Sequence, residues 1–433
     1  VANRLTENPK WSVLLVEAGE EENFFTDVPL IAALQSVTAY NWNYHAQKLK
    51  TACLGLNYGR CSITRGKAIG GTSVLNFLIY TRGNRQDYDS WAAMGNEGWS
   101  YDEVLPYFIK SENCTLCRQI DEEYHGKNGY LNIEHPGYES PFVKLFIKAG
   151  HDMGYKNCDI NGKIALGFSK VQATMKNGRR CSAAKAFLKP IQERQNLQVS
   201  KNSRATKILI DGTSKRAYGV EFWKNKRKYK IKVRKEVILS AGAINSPHLL
   251  MLSGIGPRED LERVKIPVIQ DLKVGYNFQD HVAMSTLAFL VNQSVTVSDL
   301  TVQNPIDIYN YLAISIADSE HFRPYGTHLN PHPFPQCTDL PFGSDDYWTC
   351  AIRHVSTSLG HHVGTCRMGP KGDPDAVVDP RLRVHGIRGL RVVDGSVMPN
   401  IVAGHTNAPI FMIGERAADF IKQEWRWREA QGS

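Results

Sequence analysis

The chain has 433 residues, of which 42% are apolar and 22% charged, an ordinary make-up for a globular protein of about two to three domains' length. The apolar stretches around Leu14 and Leu249 fall short of the roughly eighteen residues that a bilayer crossing needs, so no membrane span is expected. A formal charge of +9 brings nucleic acid or anionic lipid into question, but no recognised nucleic-acid module accompanies it, and no nucleic-acid partner is expected.

In chain order, VANRLTENP reads as the tail of a helix, and WSVLLVEAG as a buried strand of apolar residues ending at Glu17. RGKAIGGTSVLNFLIYTRG, from Arg65 to Gly83, sets Gly70 and Gly71 ahead of Thr72, Ser73 and Asn76. A glycine pair before small hydroxyl residues lets backbone approach a ligand closely and leaves amide N–H groups free to donate, although such a pair is also plain turn material. Helices are expected near Tyr101 to Ser111 and Pro141 to Met153.

CSAAKAFLKPIQERQ predicts a further helix, followed by strands around Val199 and Ile208, by AYGVEFW, and by the basic run KNKRKYKIKVRKE. There Lys226, Lys228, Lys230 and Lys232 alternate with Tyr229, Ile231 and Val233, so the charges are expected to line the wet face of a hairpin strand. SAGAINSPHLLMLSGIGP reads as strand end, glycine turn and helix.

The last hundred residues carry the chemistry. GHHVGTCRMGP places His361 and His362 in a glycine-rich turn, where an imidazole packs poorly and titrates near neutrality, fit for a general base or for a satisfied loop histidine. LRVVDGSVMPN then offers Asp394 and Gly395, otherwise a turn signal. GHTNAPIFMIGERAADF places Asn407 and Ala408 at the start of a helix containing Glu415 and Arg416, with Asn407 able to serve as its N-cap.

Taken together and in order, these segments resemble the signatures of the glucose-methanol-choline (GMC) flavin oxidoreductases, in particular insect glucose dehydrogenase-like members. The resemblance implies an α/β fold, with an FAD-binding Rossmann-like domain and a reduced substrate domain. The FAD-binding part would span 1–282, a remnant of the substrate domain 283–374, and a return to the FAD-binding domain 375–433.

It implies FAD as cofactor, a small-molecule alcohol or sugar as substrate, and a quinone, another acceptor or oxygen to take the electrons. His361 matches the family's base, and Asn407 the amide that orients the substrate oxygen. Glu17 would hold the ribose. Gly70, Gly71, Thr72 and Asn76 would line the flavin, Ala205 would meet the adenine, and Asp394, Gly395 and Ala408 would contact the flavin's phosphate or ribityl side.

Two departures stand out. Counting back from Glu17 by the usual spacing runs off the chain, so a first strand and its GxGxxG loop are expected to be absent, which would weaken the hold on pyrophosphate. In the middle, NPIDIYNYL, ending near Leu312, runs almost directly into AISIADSEHFRPYGTHL, where the family builds a large antiparallel sheet. These gaps leave a second reading open: a non-catalytic remnant that no longer holds flavin.

Nine cysteines include two closely spaced pairs, Cys53 with Cys61 and Cys337 with Cys350, which look like disulfides of secreted insect members and suggest an extracellular protein. Cys114 and Cys117 form a CTLC with no second CxxC to complete a zinc site, so no metal is expected there, and a loop disulfide or free thiols remain open. Cys366, inside the histidine motif, reads as a small buried packing residue.

Overall fold

The computed structural model describes residues 1–116, 120–137, 139–284, 289–290 and 321–431. A short helix at Ala2–Leu5 leads into β1 (Val13–Val16), and α1 (Tyr101–Ser111) opens on a reciprocal cap between Ser100 and Glu103. The middle of the chain supplies β2 (Leu197–Ser200), β3 (Ser203–Asp211), β4 (Arg216–Lys224), β5 (Arg227–Lys232) and β6 (Val237–Leu239). Next, α2 (Gly242–Leu252) begins at a residue with φ of +82°, a left-handed start that favours glycine. The chain closes with β7 (Val282–Met284), α3 (Asp345–Val355), β8 (Ser356–Ser358), β9 (Leu390–Val392) and the long α4 (Asn407–Ala430).

The α/β character rests on two parallel pairs. β1 runs beside β2, with Val13 opposite Leu197, and β6 runs beside β9, with Val237 opposite Leu390. No described strand joins the two pairs into one sheet. They meet through side chains instead, since Val13 and Ile238 pack against one cluster of Leu5, Trp11, Ile421 and Trp425. The main core gathers Trp91, Trp99, Phe108, Leu250, Val392 and Met412, all fully buried, so that α1, α2, β9 and α4 share one apolar interior. Burial of this kind is the dominant favourable term in folding.

β3, β4 and β5 form an antiparallel sheet in the order β5–β4–β3, matching the expected hairpin. The expectation needs one correction. β5 is an edge strand exposed along its whole length, with Tyr229 42% and Ile231 37% exposed, so the face opposite the lysines is wet as well. Lys228 and Lys230 lie 3.4 and 3.8 Å from Glu221 on β4, which balances part of the charge.

Both expected cysteine pairs are bridged, Cys53 with Cys61 and Cys337 with Cys350. Cys114 is a buried free thiol, whereas Cys117 and the seam near Leu312 lie outside the described residues. Cys366 is fully buried, as its packing role predicts.

Candidate active site

Residues 279–284 and 356–363 run antiparallel, through β7 and β8 and then a bridge between Gln279 and Val363. That ladder sets His281 across from the glycine-rich turn, because Leu359 donates to the His281 carbonyl and Val363 exchanges backbone hydrogen bonds with Gln279. Asp280 fastens the two segments. Its Oδ1 accepts from the backbone N–H of His281 and of His361, each at 2.8 Å, while Oδ2 accepts from Ser358 and lies 3.3 Å from Nε2 of His362.

The two adjacent histidines therefore have different fates. His362 is buried, stacks on Phe278 with ring centroids 5.2 Å apart, and has both nitrogens engaged. Nη1 of Arg65 lies 3.2 Å from its Nδ1, and Ser358 Oγ lies 3.1 Å from its Nε2. A guanidinium only donates, so Nδ1 of His362 accepts and Nε2 carries the proton. His361 points the other way, with Nδ1 3.0 Å from Nδ1 of His281 and its ring edge-on to His405 at 4.9 Å between centroids. None of the hydrogen bonds among the described residues engages its Nε2.

Burial, reinforced by the neighbouring imidazoles of His405 and His281 and by Arg65, pushes the His361 pKa down to about 2. Burial likewise takes His405 down to about 4, with His281 adding to the effect, and takes His362 to about 4 with help from Arg65. The site thus holds its imidazoles neutral, the state from which a base starts.

His405 and Asn407 follow one another at the start of α4. Thr406, not Asn407, is the N-cap, and it makes no side-chain cap; Asn407 is the first helical residue. The capping role anticipated for Asn407 is corrected accordingly. Its amide Nδ2 is buried without a partner among the described residues, as is Nδ1 of His405, whose ring lies beside His361. Orphaned buried polar atoms are costly and suit a polar ligand. Ala408 is buried next to them.

Glu17, Ala205, Gly70 and Gly71 come together at a second lip, apart from Asp394 and Gly395. Glu17 directly follows β1, and its carbonyl accepts from Ser203 at the start of β3, two residues before Ala205. Its carboxylate accepts from the Gly19 amide at 2.7 Å, and burial raises its pKa. Ile69 donates to the Glu20 carbonyl, which brings Gly70 and Gly71 alongside. Gly71 has φ of +57° and nothing within 4 Å of where a Cβ would stand, so its backbone presents an open face.

Thr72 and Asn76 mostly serve the turn. Oγ1 of Thr72 accepts from Gly66, and Oδ1 of Asn76 accepts from Leu78 and from Arg180, leaving the Asn76 amide nitrogen without a hydrogen-bond partner among the described residues. Asp394 is saturated: Oδ2 accepts from Gly242 N–H and Ser246 Oγ, and Oδ1 from the amide and hydroxyl of Ser396. It ties the start of α2 to the turn after β9, and Gly395 is packed between Ile410 and Val363. Any contact that Asp394 makes with a cofactor therefore falls to its backbone rather than its carboxylate.

Arg65 links the two lips, donating to the Gly360 carbonyl at 2.6 Å. Sequence reasoning did not single out Arg65, Asp280, His281 or His405. The segments containing them were legible, but their chemistry arises only from the pairing of 279–284 with 356–363.

A second buried polar cluster lies elsewhere. His125 sits 2.8 Å from both Glu112 and Asp159, and Arg82 pairs with Glu112 at 2.5 Å. Glu112, Cys114 and His125 could converge on a metal ion, yet Arg82 already supplies the cation there. Two surface hollows, one around Thr6 and Asn196 and one around Pro257 and His385, contain none of the site residues.

This α/β frame and its histidine-lined turn place the chain among flavoprotein-type oxidoreductases. Family models described as GMC oxidoreductase match residues 32–283 and 284–414, and the chain belongs to that family. Among its relatives, glucose dehydrogenase (FAD, quinone) of Drosophila melanogaster is 35% identical, covering 98% of this chain and 85% of the relative. That alignment spans 533 residues, more than the chain contains, so part of the relative faces a gap. Mitochondrial choline dehydrogenase of Homo sapiens is 32% identical over 98% of this chain and 87% of its own length. Among solved structures, pyridoxine 4-oxidase from Mesorbium loti superposes with a TM-score of 0.82 at 26% identity, covering 96% of each chain. No described helix is long and apolar enough to cross a membrane.

Proposed function

We propose that this chain oxidises the CH–OH group of a small alcohol or sugar with FAD, His361 taking the hydroxyl proton. The observation that carries this reading is the neutral His361, with no described residue engaging its Nε2, packed edge-on against His405, two positions before the Asn407 amide that is buried without a partner among the described residues. Alcohol oxidation needs a base for the O–H proton, a donor to hold the oxygen, and an acceptor for the hydride leaving carbon. FAD, when bound, supplies the acceptor. The rest falls to side chains: Asn407 donates from Nδ2 to the substrate oxygen, and His361 receives the proton at Nε2.

The residues present fit the cofactor in two places. The open backbone at Gly70 and Gly71, with Thr72 and Asn76, would carry the flavin, and Glu17 and Ala205 would meet ribose and adenine at the second lip. Asp394, Gly395 and Ala408 would close the site from the turn and from α4. In this division, residues 1–282 and 375–433 hold the cofactor and 283–374 bring the base. A quinone fits the electron acceptor of the Drosophila relative, and the bridged cysteine pairs suit a secreted protein.

The competing reading, a non-catalytic remnant without flavin, draws on the division of the parallel strands into two pairs. One titration separates them. FAD added to the purified chain should give a bound yellow species that glucose or another alcohol bleaches, and His361→Ala should keep the colour and lose the bleaching. A chain that never retains FAD would overturn the catalytic reading in favour of the remnant.

A further inference from the structure

We propose that His281 is a positioning residue for His361: it accepts a hydrogen bond from Nδ1–H of His361 and so fixes the tautomer that leaves Nε2 unprotonated. The inference rests on the reading of His361 as the base. His281 has no role assigned by the sequence motifs.

Nδ1 of His281 and Nδ1 of His361 lie 3.0 Å apart, and the rings meet edge to face. Two neutral imidazoles in that contact must share a single proton, because one ring has to donate and the other accept. Burial lowers the pKa of both rings, so both are neutral. The direction follows from the reading of His361 as the base, which needs a lone pair on Nε2 and so carries its single proton on Nδ1. Nδ1 of His281 is then the acceptor, and the proton of neutral His281 sits on its Nε2.

The carboxylate that usually stands behind a catalytic imidazole is present but occupied. Asp280 spends Oδ1 on the backbone amides of His281 and His361, and Oδ2 on Ser358 and His362. It fixes the course of the chain and leaves orientation of the ring to a neighbour. The titratable groups that act on His281 are the carboxylates of Asp280 and Asp87, with the imidazoles of His361 and His405 beside it.

Without His281, nothing among the described residues would hold a proton on Nδ1 of His361. The ring would be free to carry it on Nε2, where a base needs a lone pair.

The test reads the tautomer directly. The full chain, labelled with nitrogen-15 in its 14 histidines, gives two-bond nitrogen–proton correlations in which the two neutral tautomers have different patterns; His361 is assigned by its loss in His361→Gln. His361 is expected in the Nδ1–H form in the unaltered chain, in the Nε2–H form in His281→Phe, and back in the Nδ1–H form in His281→Asn, whose amide oxygen can accept. An Nε2–H tautomer in the unaltered chain overturns the proposal, and that spectrum needs no His281 variant to fold. A tautomer unmoved by His281→Phe overturns it equally.

In the FAD-loaded chain, His281→Phe should slow flavin reduction about 10²- to 10⁴-fold, as loss of the correct tautomer does elsewhere, with His281→Asn recovering part of the rate. If the tautomer is as stated but His361→Gln still reduces flavin at full rate, the base assignment fails and the control of the tautomer by His281 stands.

Discussion

Nη1 of Arg65 donates to the carbonyl oxygen of Gly360 at 2.6 Å, joining the glycine-rich segment near the start of the chain to the histidine turn near its end. The same nitrogen reaches Nδ1 of His362, so one guanidinium holds both the backbone before His361 and the ring after it. Replacing it with methionine would leave a carbonyl and an imidazole nitrogen without their donor. Arg65→Met is expected to cost about 2–4 kcal/mol, read as a lower urea midpoint, with Arg65→Lys losing less.

Acid should weaken the fold through the histidines of the site. Folded His361, His362 and His405 have pKa values pushed below the ordinary 6.5, so each binds a proton on unfolding once the pH falls below that value. Their contribution is complete above pH 6.5 and is lost progressively toward pH 4 for His362 and His405 and toward pH 2 for His361, at up to about 1.4 kcal/mol per pH unit for each ring. His362→Gln removes one such ring. Its stability should fall less steeply with acid than that of the unaltered chain between pH 6.5 and 4.5, in a series of urea titrations.

The buried His125 cluster has the opposite sign. Burial opposes its charge, but hydrogen bonds to Asp159, Cys114 and Glu112 outweigh that and raise the pKa to about 11. The stabilisation is therefore complete below pH 6.5 and fades as pH rises toward 11. Glu112→Gln strips the anion shared by Arg82 and His125 and is expected to cost about 3–5 kcal/mol, measured at pH 7 by urea unfolding.

Two glycines of one turn should respond differently. A Cβ on Gly66 would stand 2.2 Å from the Gly71 carbonyl oxygen, whereas one on Gly71 meets nothing within 4 Å. Gly66→Ala is expected to destabilise by about 3 kcal/mol. Gly71→Asn, a residue that tolerates positive φ, should cost no more than about 1 kcal/mol yet weaken FAD binding at least tenfold, as followed by flavin absorbance.

What the sequence disclosed was local. The apolar run ending at Glu17, the capped helix at Tyr101–Ser111, the glycine start of α2 and the alternating lysines of β5 each carry their pattern within a dozen residues, and each formed. The histidine motif drew attention to His361 and His362 but could not divide their labour, since that depends on Arg65, nearly three hundred positions away, and on Phe278 and Ser358. His281 and His405 were invisible as site residues for the same reason. Asp394 was noticed for its aspartate–glycine pair, while two of its four donors come from the start of α2, about 150 positions earlier in the chain. The exposed inner face of β5 escaped because alternation reports two faces without saying whether anything covers either.

The grip of Asp280 on main-chain amides separates scaffold from reagent. The path of the turn is written into peptide groups, which every residue type possesses, whereas the acid–base character is carried by the ring that His361 extends from it. Substituting an imidazole here would retune the reactivity of the locale while its architecture persisted, so variants of this loop offer a route to new substrates that does not begin by dismantling the protein.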